Sequence, residues 1–188
     1  MKKAILLLSL CCILANGALA RADDSLPLQL YMTEVSPADL INWKVGDSMD
    51  YSITLGMFGN LGTSNKSVTK DEGAAIWVRQ TMAMKTQNET VDILINKADG
   101  KILKLIRNGK EEAIPDEQLE IISQDYTEIT VPAGKFSVLH VVAKTKNVSK
   151  IEIWANPPQT VMDGVVKQII TTQFGDLTME LTKFQHGG

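Results

Sequence analysis

From Gly46 onward, apolar and polar positions along the chain mostly alternate with a period of two, the signature of half-buried β-strands. In DSMDYSITL, Met49, Tyr51, Ile53 and Leu55 share one face, and Ser48, Asp50, Ser52 and Thr54 share the other. In AAIWVRQTMAMK, Ile76, Val78, Met82 and Met84 face one way; Trp77, Arg79 and Thr81 face the other. Between these runs, GMFGNLGTSNKS is rich in Gly and Asn and reads as a hairpin tip or a ligand-facing loop. Asp99-Gly100 and Asn108-Gly109 then separate short β-rich runs. Asn-Gly suits a two-residue turn because both of its central residues need positive φ, so a three-stranded meander is predicted over residues 90–114. DYTEITV, the Pro132-Ala133-Gly134 turn and a strand from Lys135 to Lys146 follow. KIEIW, the loop ANPPQTVMDG and a final pair, VVKQIITTQ and LTMELTKF, close the chain across Gly175-Asp176.

Two stretches break the alternation. Ser36 is an N-cap candidate with Pro37 at the first helical position, which predicts a helix over 36–43. Pro115 opens an acidic turn in which Leu119 and Ile122 are three apart, which predicts helical turns over 115–123. Nine or ten short strands with turn signals every eight to twelve residues define an all-β class with minor α. The expected architecture is an antiparallel barrel or half-barrel with one or two short helices. No strand–helix alternation supports a parallel sheet.

The N-terminus places this domain outside the cell interior. Lys2 and Lys3 precede an apolar run from Ala4 to Ala15, and Ala18-Leu19-Ala20 is a small-x-small cleavage site. The run falls short of the approximately 20 apolar residues of a spanning helix. The expected organisation is a signal peptide over 1–20, a leader over 21–35 and one β domain over 36–188. The expected location is periplasmic or secreted, in a bacterium. Cys11 and Cys12 are read as part of the apolar run, since Leu10 precedes Cys11 where a lipidated cysteine follows a small residue. Cleavage removes both cysteines, so the exported chain has no disulfide, thiolate nucleophile or zinc–thiolate site. It also removes two lysines from a chain whose formal net charge is already −3. A mildly acidic chain without a basic stripe does not fit nucleic acid.

VPAGKF (131–136), IEIWANPPQTVMDGVVK (151–167) and WKVGDSMDYSI (43–53) carry a resemblance to secreted bacterial all-β domains of unknown function. Those domains have a Pro-Ala-Gly-x-Phe turn followed by a Trp strand, a Pro loop and a Gly-Val-Val-Lys strand start. They are similar in turn to the half-barrels of periplasmic lipoprotein carriers. The resemblance implies a curved antiparallel sheet around an apolar interior, and it implies no catalytic residues. The chain departs from the pattern at Pro157-Pro158 and Val161-Met162-Asp163, where a plainer Pro-x-x-Gly loop is expected.

The candidate chemistry is sparse. His140 shares a strand face with Phe136, Val138 and Val142, and reads as a strand histidine; His186 lies in a tail expected to fray. No His-x-His, His-Glu-x-x-His or Gly-x-Ser-x-Gly pattern exists. The acidic pairs Asp23-Asp24, Glu111-Glu112 and Asp116-Glu117 read as solvated groups or helix-start groups. Asn65, Asn88 and Asn147 head Asn-x-Ser/Thr sequons, which matter only in a eukaryotic secretory route. No enzyme, cofactor or metal is expected. Methionine is frequent for a small β domain, and it adapts to irregular apolar partners. If the interior is hollow, its ligand-binding candidates are Tyr51, Ile53, Ile76, Val78, Met82, Met179 and Leu181, with Phe58 and Trp154 at the mouth. Two readings follow: a non-enzymatic carrier of an apolar small molecule or lipid, and an envelope protein-interaction module with a filled core.

Overall fold

The computed structural model describes residues 41–85, 87–115 and 119–188. The signal, the leader and most of the first predicted helix lie outside these residues.

Eleven antiparallel strands form one open sheet. They are β1 (Ser48–Leu55), β2 (Gly59–Asp71), β3 (Ala75–Met84), β4 (Asn88–Asn96), β5 (Ile102–Arg107), β6 (Lys110–Glu112), β7 (Glu120–Val131), β8 (Gly134–Lys144), β9 (Ile151–Ala155), β10 (Val165–Thr172) and β11 (Gly175–Gln185). Their order across the sheet is β6-β5-β4-β3-β2-β1-β11-β10-β9-β8-β7. Two meanders thus run outward in opposite directions from a central β1–β11 pair. The structure corrects the expected barrel in two respects. Of the two expected forms the closed barrel is excluded, because no strand lies beyond β6 or β7 among the described residues, and these residues form eleven strands rather than nine or ten.

The extra strand is β2, whose first residues read as a loop. Its inward positions include Ser64 and Lys66, both buried, so the polar side chains hide the alternation. The Asn108-Gly109 turn is as the sequence predicts, whereas the last pair turns at Gln173-Phe174 and not at Gly175-Asp176, which already belong to β11. Asn108 and Gly109 take φ of 49° and 80° between β5 and β6. The predicted helix over 115–123 is corrected in part: residues 120–123 open β7, where Glu120, Ile121 and Ser123 pair with β8 and Ile122 is bulged, while residues 116–118 lie outside the described set. Ile121 and Ile122 are β-branched, and pairing with β8 outweighs the weak helical spacing. Residues 41–43 are not helical. The described helix is limited to 3-10 turns at Gly56–Phe58 and Pro157–Gln159.

One face of the sheet holds a large buried cluster running from Leu105 and Ile93 through Val78 and Tyr51 to Leu181 and Met179. Fully burying each such side chain contributes roughly 1.5–3 kcal/mol. A second cluster gathers Val141, Ile151, Ile153, Ala155, Val165 and Ile170. Strand β8 changes its buried face midway. Phe136 and Val138 join the first cluster, whereas Val141 and Ala143, of opposite parity, are buried on the other side. The change falls where β8 runs past its last pairing with β9, at Leu139↔Ala155. Beyond it the β7–β8 hairpin bends back, and Ala133 N–H donates to the Leu181 carbonyl of β11 at 3.0 Å. The C-terminal tail is not frayed: Gly187 N–H donates to buried Asp47 at 2.8 Å, and Lys44 N–H to its other oxygen at 2.8 Å.

Candidate functional site

The interior comes first, because most of the candidate residues point there. Register sets Tyr51 opposite Leu181, and Ile53 opposite Met179, across β1 and β11. With Ile76, Val78 and Met82 of β3 they form part of one packed cluster, each 0–3% exposed. The loop after β9, residues 156–164, folds onto this cluster and contributes Val161 and Met162 to it. Phe58 lies apart from the other candidates, whereas Trp154 packs against the edge of their cluster. Phe58 stands exposed on the β1–β2 turn, and Trp154 is half-buried on the face of β9 opposite Ile151, Ile153 and Ala155.

Polar anchors hold the loop. Lys66 Nζ of β2 donates to Asp163 Oδ2 at 2.5 Å, and both side chains are 4% exposed. Tyr51 donates its hydroxyl proton to the Val165 carbonyl at 2.9 Å. Asn156 accepts from Gln159 N–H at 3.0 Å and donates to the Ser137 carbonyl of β8. Gly164 takes φ +69°, and a Cβ there would lie 2.2 Å from the Pro157 nitrogen, so only glycine lets the loop close. Sequence reading missed Lys66 and Asp163. The one signal was a lysine on the inward phase of a strand, and the Gly/Asn-rich context concealed that phase.

His140 sits in a cross-strand row. Register aligns Asp125, His140, Trp154, Lys167 and Glu180 on β7, β8, β9, β10 and β11. The imidazole Nδ1 lies 3.1 Å from Asp125 Oδ1, and Nε2 lies 3.5 Å from Glu152 Oε1. The ring stacks on Trp154 with centroids 4.4 Å apart and planes 7° from parallel. Lys167 Nζ is 5.8 Å from the Trp154 ring and 2.8 Å from Glu180. Every member has its neighbour as partner, which is how cross-strand ladders stabilise a sheet. Among the described residues, no group of three or more His, Cys, Asp or Glu side chains is placed to hold a metal ion.

An open groove of about 480 Å³ lies over β11, β1, β2, β3 and β4, lined by Asp50, Asn65, Thr81, Thr90 and Thr182, with Tyr51 and Met82 beneath. Asn65 donates to Asp50 at 2.7 Å across it. Small uncharged side chains dominate it, and its two carboxylates are both engaged, Asp50 by Asn65 and buried Glu89 through one oxygen by Arg107.

The free edges differ most. Strand β6 has three residues, Lys110-Glu111-Glu112. Strand β7 has twelve and is exposed on both faces from Glu120 to Glu128, with Ile121, Ile122 and Tyr126 in solvent. It contains no lysine or proline, the usual guards of a free edge. Two of its acids are paired from within, Glu120 with Lys144 at 3.2 Å and Glu128 with Lys135 at 2.7 Å, and Asp125 lies 3.1 Å from His140 Nδ1. The Val131↔Gly134 turn pair sets the alternation of the ladder, so Gln124, Tyr126 and Glu128 turn their N–H and C=O groups to the open side.

No family model and no curated protein matches the sequence. Among solved structures, the chain is similar to a Bacteroides fragilis protein described as exported and of YmcC-like fold. That match has 8% identity over 79% of this chain and 99% of that one, with a TM-score of 0.47. A Parabacteroides distasonis protein described as a lipoprotein matches at 9% identity over 78% and 98%, with a TM-score of 0.46. MucB matches at 13% identity over 81% of this chain and 56% of its own length, with a TM-score of 0.43; it has also been solved in complex with MucA(peri).

Proposed function

We propose that the chain is a non-enzymatic, exported interaction module of the cell envelope, which receives an extended segment of a partner protein along β7. The carrying observation is the twelve-residue edge, with its outward backbone groups, its exposed Ile121, Ile122 and Tyr126, and its acids partnered by side chains of β8. Strand addition draws affinity from such backbone groups and specificity from alternate side chains. The packing of the candidate lining residues favours this reading over a carrier. The candidate lining residues pack against one another and share their cluster with Val161 and Met162, and packed cores leave few voids larger than a water.

The test is a photo-crosslinker in place of Tyr126 in the exporting bacterium, followed by binding measurements with the purified captured partner. Gln124→Pro removes one outward N–H on an edge strand, where proline is tolerated. It is expected to weaken binding at least about tenfold, the effect of losing a desolvated backbone bond and its register. Lys110→Pro on β6 is expected to leave binding unchanged. Unaltered binding by Gln124→Pro, or saturable uptake of an apolar dye by the native protein, would overturn the proposal, the latter in favour of a carrier.

A further inference from the structure

The antiparallel order gathers the β1–β2, β3–β4, β5–β6, β8–β9 and β10–β11 connections at one end of the sheet. Two of these tips touch. A Cβ added to Gly175 would lie 3.6 Å from the Gly56 Cα, and one on Gly56 would lie 3.5 Å from the Phe174 carbonyl oxygen. On this joined tip Met57 is 95% exposed, Phe58 59% and Phe174 40%. The turn holds them outward: Gly56 and Gly59, at φ +35° and +66°, bracket Met57 and Phe58 in a tight 3-10 turn with no buried residue.

Among the exposed charged side chains of these tips that make no ion pair among the described residues, Lys85, Lys110 and Lys146 outnumber one acid, Asp176, which instead accepts from Thr171 at 2.9 Å. Lys85 lies on the β3–β4 connection, whose N–H donates to the Leu61 carbonyl beside the apolar tip at 2.9 Å. Lys146 lies on the β8–β9 connection, and Lys110 starts β6. All three are exposed, and none makes an ion pair among the described residues. The opposite end of the sheet differs. Its turns bear Asp71, Glu72 and Asp99, which engage Lys97 at 2.6 Å, Lys70 at 2.6 Å and Lys101 at 3.1 Å, while Lys44 and Lys183 at that end stand exposed without an exposed Met or Phe tip beside them among the described residues.

We propose that the Met57–Phe58–Phe174 end of the sheet is a contact surface for an anionic lipid bilayer. The three apolar side chains enter the boundary between headgroups and acyl chains, while Lys85, Lys110 and Lys146 face the anionic headgroups. The shape selects a bilayer over a cleft in another protein. The apolar groups stand on projecting tips of two hairpins, and the free lysines are spread over three further tips across the sheet. Such a distribution suits an extended charged plane. Apolar insertion and lysine attraction combine in reversible peripheral binding, where neither suffices alone. The surface is distinct from the β7 edge, so the two proposals fail separately.

The test is co-sedimentation of the exported chain with vesicles of phosphatidylethanolamine and phosphatidylglycerol in equal parts, against vesicles of phosphatidylcholine, at low and high salt. The native chain is expected to sediment with the anionic vesicles only, and less at high salt. Met57→Ser/Phe58→Ser, at exposed positions, is expected to keep the native melting temperature and lose about tenfold or more in partitioning, from the two apolar side chains withdrawn. Lys85→Glu/Lys146→Glu is expected to lose a comparable factor at low salt and little at high salt. Phe58→Trp is expected to shift its emission to the blue on anionic vesicles. No vesicle binding by the native chain, equal binding by the serine variant, or binding without a blue shift in Phe58→Trp would each overturn the proposal; the first would turn attention to a pocket in a partner protein.

Discussion

The two halves of the sheet are built on different terms. From β1 to β6 each strand pairs with its successor, and a single period-two face is buried, from Met49 across to Leu105. From β7 to β11 the strands also meander, yet burial is split between two clusters, β8 reverses its buried face, and a nine-residue loop leaves the sheet to pack on the other half. The first half is held by repetition. The second is held by particular contacts, above all Lys66–Asp163, that reach into the first. A regular face spreads its stabilisation over many interchangeable side chains, whereas the loop concentrates it in a few.

The largest effect is expected where the halves are joined. Asp163→Leu leaves the Lys66 ammonium buried without its counter-ion, and should cost about 3–5 kcal/mol in denaturant unfolding. The double variant Lys66→Met/Asp163→Leu should recover most of that loss, because it removes the stranded charge. Equal losses in the single and double variants would mean that the loop is held by its apolar residues alone.

Within the irregular half, Phe136→Ala should cost about 3 kcal/mol, since the ring packs in the main cluster against Phe184 with centroids 6.3 Å apart. In the regular half, Ile93→Val should cost only about 1 kcal/mol. A Phe136→Ala loss no larger than that of Ile93→Val would erase the contrast.

The smallest effect concerns pH and belongs to the regular half. The Lys97 ammonium, hydrogen-bonded to Asp71, and then the Gly73 N–H hold the Asp71 carboxyl below its ordinary value. A group with a lowered folded value stabilises above its ordinary value, and that contribution fades as pH falls through the lowered one. Asp71→Asn should therefore lower the melting temperature slightly at neutral pH and flatten the acid side of its pH profile. An unchanged acid limb would assign no role to this turn. Solvent screening keeps the effect small at so exposed a site.

The same contrast governs what could be read in the sequence. The alternation of β1 and β3 and the Asn108-Gly109 hairpin were legible, because period and turn chemistry are local. Strand β2 was not, because Lys66 and Ser64 occupy its inward positions in readiness for partners distant in the chain. Leu119 and Ile122 gave a weak helical spacing that the pairing of β7 with β8 overrode. His140 was legible as a strand residue on the face of Phe136. Its partners Asp125, Glu152 and Trp154 were not legible as partners, since they follow from register across three strands. The exposure of β7 was equally hidden, because which strand lies at an edge depends on the order of the whole sheet.

That order also has a consequence for how the molecule forms. The seam at the centre of the sheet joins its first and last strands, and Thr182 donates to the Asp50 carbonyl across 132 residues of chain. Each meander can zip locally, but β1 keeps a bare edge until β11 arrives. Loop closure over that span comes late, and folding dominated by such distant pairing is slow, on the order of milliseconds to seconds. A chain crossing a membrane from its N-terminus would expose β1 for the whole of its passage. Strand β1, buried in the middle of the finished sheet, is therefore where a holding chaperone would do most to prevent aggregation.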